Sequence, residues 1–280
     1  MLVATEELAR HLDDPRWVLF DCRHDLADHG RGARSYADGH IPGAVFAAVE
    51  TDLAGPRTGR NGRHPLPDPA VFAGFLARCG VNAMSRIVGY DDAGGLYAAR
   101  LWWMARWIGL EHVSLLDGGL GRWIAEGRPL TREAPRREPG VVEARVEAGA
   151  AWGADEVRRR LGDPRSLILD ARAPERFRGE VEPMDPVAGH IPGAANRFYK
   201  ENLNADLSFR PRGELRREFE ALLGSRQPAD VAHQCGSGIT ACANLFAMEY
   251  AGLAGSKLYA GSWSEWVADP TRPVARGAAG

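Results

Sequence analysis

Gly39-His40-Ile41-Pro42-Gly43-Ala44 and Gly189-His190-Ile191-Pro192-Gly193-Ala194 are the same six residues met twice in one chain of 280 residues. Each follows a short apolar run that ends in Asp-x-Arg: Trp17-Val18-Leu19-Phe20-Asp21-Cys22-Arg23 before the first, Ser166-Leu167-Ile168-Leu169-Asp170-Ala171-Arg172 before the second. Farther on, Gly261-Ser262-Trp263-Ser264-Glu265-Trp266 answers the stretch from Gly118 to Trp123. Matching motifs in matching order are the signature of a duplicated unit.

Between the shared motifs, short apolar runs alternate with helical patterns, which implies an α/β fold with a parallel sheet covered on both faces. Thr5 to Leu12 reads as a helix, and Trp17 to Arg23 as a buried strand. Pro and Gly fix the turn at Gly39 to Ala44. Thr51 to Pro67 is a polar loop without periodicity. Asp68-Pro69 opens a helix that Gly80 closes. Arg86 to Tyr90 and His112 to Leu116 read as strands, with a tryptophan-rich helix from Leu96 to Ile108 between them. Gly127 to Gly140 is rich in Pro, Arg and Glu, as a surface connection would be. The expected organisation is an N-terminal domain over 1–130, a linker over 131–145 and a C-terminal domain over 146–280.

Composition narrows the partners. Apolar residues at 45% and charged residues at 26% are those of an ordinary globular protein, and a formal net charge of -2 gives no electrostatic case for nucleic acid or an acidic membrane surface. Cys22, Cys79, Cys235 and Cys242 fit no zinc spacing and read as reduced thiols. The N-terminus turns acidic at Glu6-Glu7 and lacks an apolar signal core, and no run approaches the ~20 apolar residues that span a bilayer. A cytoplasmic location is expected.

The chemistry concentrates in His233-Gln234-Cys235-Gly236-Ser237-Gly238-Ile239-Thr240-Ala241. A strand, a glycine-rich loop and a helix start in succession gather backbone N–H groups around one point. Gly236 and Gly238 let the chain curl there, because glycine adopts dihedrals that side chains forbid. N–H groups and a helix N-terminus favour a thiolate, so Cys235 reads as a nucleophile rather than as a small buried residue. Cys242, in the following helix, reads as core. In the first copy the repeat spacing puts Asp92 in the place of Cys235, with Gly94-Gly95 against Ser237-Gly238. That copy therefore reads as inactive.

These motifs together resemble a tandem-domain sulfurtransferase of the rhodanese family, over nearly the whole length. The resemblance implies two rhodanese-like domains, of which only the second is catalytic. It implies a Cys235 that accepts a sulfane sulfur from a small-molecule donor and passes it, as a persulfide, to a thiol or cyanide. A thioredoxin-like reductant is an acceptor of that kind. No metal or organic cofactor is expected. Members that use thiosulfate tend to carry basic residues directly after the cysteine, whereas Cys235-Gly236-Ser237-Gly238-Ile239-Thr240 is similar to the branch that uses 3-mercaptopyruvate. By that likeness Ser237 and Asp52 handle protons. His64 and Tyr97 border the substrate, with Gly236, Gly238, Ile239 and Thr240 of the loop. Arg176 grips the substrate carboxylate, a task suited to its planar fork. Met184 stands where that branch has a second arginine, so thiosulfate remains the alternative donor.

Two other classes can be weighed against this one. A cysteine phosphatase or arsenate reductase needs an arginine six positions after the cysteine, where this chain has Ala241. A non-enzymatic persulfide carrier would form the adduct yet turn over poorly with every small donor. Asp21-x-Arg23, Asp170-x-Arg172, His40 and His190 occur in both copies, the inactive one included, and are expected to be structural. Trp102, Trp103 and Trp107 are expected in a helix core.

Overall fold

In the computed structural model, which describes residues 1–278, ten strands form two sheets of identical plan. The first holds β1 (Leu2–Val3), β2 (Trp17–Asp21), β3 (Ala44–Phe46), β4 (Arg86–Tyr90) and β5 (Val113–Leu116), in the order β1-β5-β4-β2-β3. The second holds β6 (Ala151–Trp152), β7 (Leu167–Asp170), β8 (Ala195–Asn196), β9 (Val231–Gln234) and β10 (Lys257–Tyr259), in the order β6-β10-β9-β7-β8. Every pairing is parallel. The α/β class and the duplication expected from the repeats are therefore present. No helix of the described residues is long and apolar enough to cross a membrane.

Each sheet has its own core. Leu8, Trp17, Leu19, Ile41, Val88, Leu116 and Trp123 pack together in the first. Val157, Ile168, Phe177, Ile191, Tyr259, Trp263 and Trp266 do so in the second. Burying aromatic side chains of this size supplies much of the apolar area on which each core depends.

The shared motifs are the joints of the two sheets. Arg23 binds Asp21 at 2.6 Å and donates to Gly39 O at 2.7 Å. Arg172 repeats this with Asp170 at 2.6 Å and Gly189 O at 2.8 Å. Each arginine thus ties a strand end to the turn that opens the next strand. His40 stacks on Tyr36 and its Nδ1 meets Tyr36 O at 2.8 Å, while His190 does the same with Phe177. These residues are structural, as their presence in both copies implies. Trp102 and Trp103 are buried in helix Ala98–Trp107.

The chain divides into two compact units, but not at one cut. The first comprises Met1–Gly55, Leu66–Glu147 and Asn204–Phe209; the second comprises Pro56–Pro65, Ala148–Leu203 and Arg210–Gly280. A division at 130 and 146 therefore misplaces two short segments, because sequence continuity carries no information on which core a loop joins. The expected linker over 131–145 is also bound to the first unit: Thr131 bridges His40, Gly140 N donates to Ala77 O, and Arg145 N donates to Ile108 O.

Register corrects the alignment of the two glycine-rich loops. Asp21 pairs with Tyr90 in the first sheet, and Asp170 pairs with Gln234 in the second. The residue that follows is Asp91 in one and Cys235 in the other. Asp91 O accepts from Leu120 N, as Cys235 O accepts from Trp263 N. Asp91, not Asp92, thus holds the cysteine's place. The repeat spacing failed by one because the first loop is longer: its helix opens at Ala98, whereas the second opens at Thr240.

Candidate active site

β9, the central strand, delivers Cys235 to the C-terminal end of its sheet, and the chain then curls into helix Thr240–Tyr250. The curl requires glycine at 238: its φ is +80°, and a Cβ there would stand 2.2 Å from Ala260 O. Cys235 Sγ accepts from Gly238 N at 3.2 Å and from Ser237 N at 3.5 Å. Two backbone donors are thus directed at one sulfur. Ile239 is buried at the helix entry and Thr240 is the first helical residue.

A second element fixes the loop from outside. Helix Ser262–Trp266 donates Trp263 N to Cys235 O and Ser264 N to Gly236 O, both at 3.0 Å. Ser262 Oγ accepts from Cys235 N at 3.1 Å and donates to Tyr259 O at 2.8 Å. To do so Ser262 adopts φ +53°, a left-handed conformation that costs a residue with a side chain about 1 kcal/mol or more. Its counterpart in the first unit is Gly119, with φ +55°.

Ser237 and His64 are brought together. Both are buried, and Ser237 Oγ and His64 Nδ1 share a hydrogen bond of 2.7 Å. His64 lies in the 56–65 segment of this unit, which is seated on the same helix start: Arg63 N donates to Ser264 Oγ at 3.0 Å.

Arg176 also reaches the loop, both of its terminal nitrogens lying 3.6 Å from where a Cβ of Gly236 would stand. Arg63 lies closer still, with Nη2 at 2.8 Å from that point. Sequence reasoning missed Arg63; its signal was the basic run Arg60-Asn61-Gly62-Arg63 directly before His64. Two acids, also missed, hold these arginines. Glu182 binds Arg176 at 2.6 Å and Arg172 at 3.4 Å, while Asp185 binds Arg63 and lies 3.6 Å from Arg176. Burial pushes the Asp185 carboxyl up against the pull of Arg63 and Arg176. Burial opposes the Arg172 cation too, yet Asp170, Glu182 and Cys235 more than offset it and raise its pKa. Met184 is partly exposed, and its backbone N–H binds Glu182.

In the first unit the corresponding loop encloses a carboxylate. Asp91 Oδ1 accepts from Ala93 N and Gly95 N, and Oδ2 accepts from Tyr97 N and Ala98 N, at 2.8 to 2.9 Å. Burial pushes this carboxyl up while the four N–H groups pull it down, and the net direction is upward. Asp52, expected beside a catalytic serine, closes its own turn: its Oδ2 accepts from Ala48 N at 2.8 Å, and burial raises its pKa. Tyr97 is buried and packs edge-on to His24. The acid facing titratable neighbours is Glu50, 3.6 Å from His24 and 3.7 Å from His29. The ligand atoms of these three lie within 4.8 Å of one another, so among the described residues they are the group that could hold a metal ion.

A buried thiol thus lies under backbone N–H groups, with a serine–histidine pair and two arginines around it. The rhodanese-like domain family matches this chain twice, at residues 4–126 and 153–269, and the chain belongs to that family. A relative from Pseudomonas aeruginosa, "Probable 3-mercaptopyruvate sulfurtransferase", is 48% identical over 99% of this chain and 98% of its own length. "Putative thiosulfate sulfurtransferase SseB" from Mycobacterium tuberculosis is 38% identical over 100% of this chain and 98% of its own. The crystal structure of SseA from Escherichia coli, a 3-mercaptopyruvate sulfotransferase, is similar with a TM-score of 0.81 and 33% identity, covering 94% of this chain and 98% of that one.

Proposed function

We propose that the chain is a sulfurtransferase that takes a sulfane sulfur from 3-mercaptopyruvate, holds it as a persulfide on Cys235, and hands it to a thiol or cyanide. The observation that carries this reading is the N–H cradle on Cys235 Sγ beside the Ser237–His64 pair. The cradle suits a thiolate and then the terminal sulfur of a persulfide. The pair suits a donor whose leaving group must gain a proton. The Pseudomonas relative supports the same donor.

The thiolate of Cys235 attacks the donor sulfur, the S–S bond forms, and the C–S bond breaks. The electron pair of that bond leaves as the enolate of pyruvate, and the donor's thiol proton stays on the persulfide. Doubly protonated His64 donates from Nδ1 to Ser237 Oγ; the serine hydroxyl protonates the enolate carbon and takes the Nδ1 proton in its place, leaving a neutral imidazole. Arg176 holds the carboxylate throughout. An acceptor thiolate then attacks the outer sulfur and restores the Cys235 thiolate; a thioredoxin-like protein would serve. Four cysteines outside any disulfide among the described residues suit a reducing compartment such as the cytoplasm.

Thiosulfate is the second reading, favoured by the mycobacterial relative. Sulfite leaves as a stable anion there and needs no proton. The deciding experiment compares kcat/KM for the two donors on one preparation, with mass analysis after donor alone. A gain of one sulfur atom at Cys235 is expected, absent from Cys235→Ser, with 3-mercaptopyruvate the better donor. Activity retained by Cys235→Ser would end the persulfide reading, and poor turnover with every donor would leave a carrier.

A further inference from the structure

Four observations meet at Gly236, the residue after the nucleophile. Arg63 Nη2 and both terminal nitrogens of Arg176 crowd the space that a side chain at 236 would fill. Each guanidinium is also tied to a carboxylate, Arg63 to Asp185 through Nη1 and Arg176 to Glu182 through Nη2. Those carboxylates are buried, with 4% and 3% of their side chains exposed, so they act as fixed anchors. Nε of Arg63 and Nε of Arg176 are both buried without a hydrogen-bond partner among the described residues, which is costly for a cation unless something else meets its donors.

Arg63 is also held in place by its backbone. Its N–H is taken by Ser264 Oγ, and Gly62, at φ +82°, lies so close to Gly261 that a Cβ would stand 2.6 Å from Gly261 O. The helix start that fixes the carbonyls of Cys235 and Gly236 therefore fixes Arg63 as well. An exposed arginine on a free loop would need none of this.

We propose that Arg63 is a donor-binding residue that completes, with Arg176, a two-arginine clamp for the anionic group of the sulfur donor. This rests on the sulfurtransferase reading above and assigns to the 56–65 segment the charge that Met184 does not bring. The ligand chemistry is a planar carboxylate or a sulfonate-like oxyanion next to a transferable sulfur. Donated N–H bonds from two forks hold such a group over Gly236, one residue from the attacking thiolate. Asp185 keeps the two cations together when no donor is present.

The test uses the full chain with Arg63→Ala and Arg63→Gln, and Arg63→Lys as the charge-retaining variant. Steady-state rates with 3-mercaptopyruvate and with thiosulfate are expected to show KM raised at least about tenfold by Ala and Gln, kcat changed less than about threefold, and partial recovery in Lys. A rise with only one donor tells which anion the clamp was shaped for. Alkylation of Cys235 by iodoacetate relative to iodoacetamide, followed by mass, reads the clamp without turnover. That ratio is expected to fall about tenfold in the neutral variants. KM and alkylation ratio both within twofold of wild type in a folded Arg63→Gln protein would overturn the proposal. If the wild-type protein turns over neither donor, the sulfurtransferase reading falls, while the alkylation ratio still decides the clamp.

Discussion

Ser237 Oγ and His64 Nδ1 stand 2.7 Å apart, although 173 residues separate them in the chain. The bond is buried at both ends. Under the proposed mechanism this pair delivers a proton where water is scarce, and the donor decides whether one is needed. Ser237→Ala and His64→Asn are therefore expected to lower kcat with 3-mercaptopyruvate by about a hundredfold. With thiosulfate, whose leaving group needs no proton, the loss should stay under about fivefold. Equal losses with both donors would move the pair from proton delivery to general support of the loop.

Ser262 allows strain and support to be separated. Ser262→Ala keeps the left-handed backbone and loses the hydroxyl that takes Cys235 N–H, so it should cost about 2 kcal/mol by chemical denaturation. Ser262→Gly loses the same hydroxyl but relieves the backbone, and should recover about half of that. Both should lower kcat/KM alike, because the Cys235 amide is unheld in each. A glycine variant with wild-type activity would show that the loop keeps its shape without this anchor.

His233, in the strand before the nucleophile, is buried with neither ring nitrogen hydrogen-bonded among the described residues, and burial pulls its pKa down to about 3. In the unfolded chain an imidazole takes up a proton near pH 6.5. The unfolded state then binds more protons than the folded one between those values, so stability falls as pH is lowered through that window, by up to about 1.4 kcal/mol per unit. His233→Leu should flatten this dependence: its Tm relative to wild type should rise steadily from pH 7 to pH 5. A constant difference over that range would count against a buried neutral imidazole.

Asp52 is engaged with its own turn, whereas Glu50 in the same loop faces two histidines. Asp52→Asn should leave kcat/KM within about threefold, since the amide oxygen can still accept from Ala48 N, and Asp52→Ala should cost about 1 kcal/mol of stability. A loss above thirtyfold in Asp52→Asn would return that residue to the reaction.

Much of this was legible in the residues because the chain says it twice. Repeated turns and strand ends marked the two α/β units, and one glycine-rich loop marked Cys235. What escaped was whatever depends on contacts between distant segments. Arg63 sits in a loop without periodicity, so its approach to Gly236 could not be read from spacing. Glu182 and Asp185 look like ordinary surface acids until Arg63, Arg172 and Arg176 are placed beside them. Helix Arg31–Asp38 is polar, with only Gly32 buried, so no stripe of large apolar residues marks it. Helix Arg212–Leu223 did leave one, since Leu215, Phe219 and Leu223 recur four apart on its buried face.

The loop around Asp91 has a consequence for engineering a second reaction centre. Four amides converge there on two oxygens, and the chain needs the extra length before Ala98 to bring in those of Tyr97 and Ala98. The shorter loop around Cys235 fits one compact sulfur. Loop length thus follows the group each loop encloses, a carboxylate in the first unit and a thiol in the second. Writing cysteine at 91 would place a thiol in a seat cut for a carboxylate; the segment up to Ala98 would have to be shortened before that thiol met its amides.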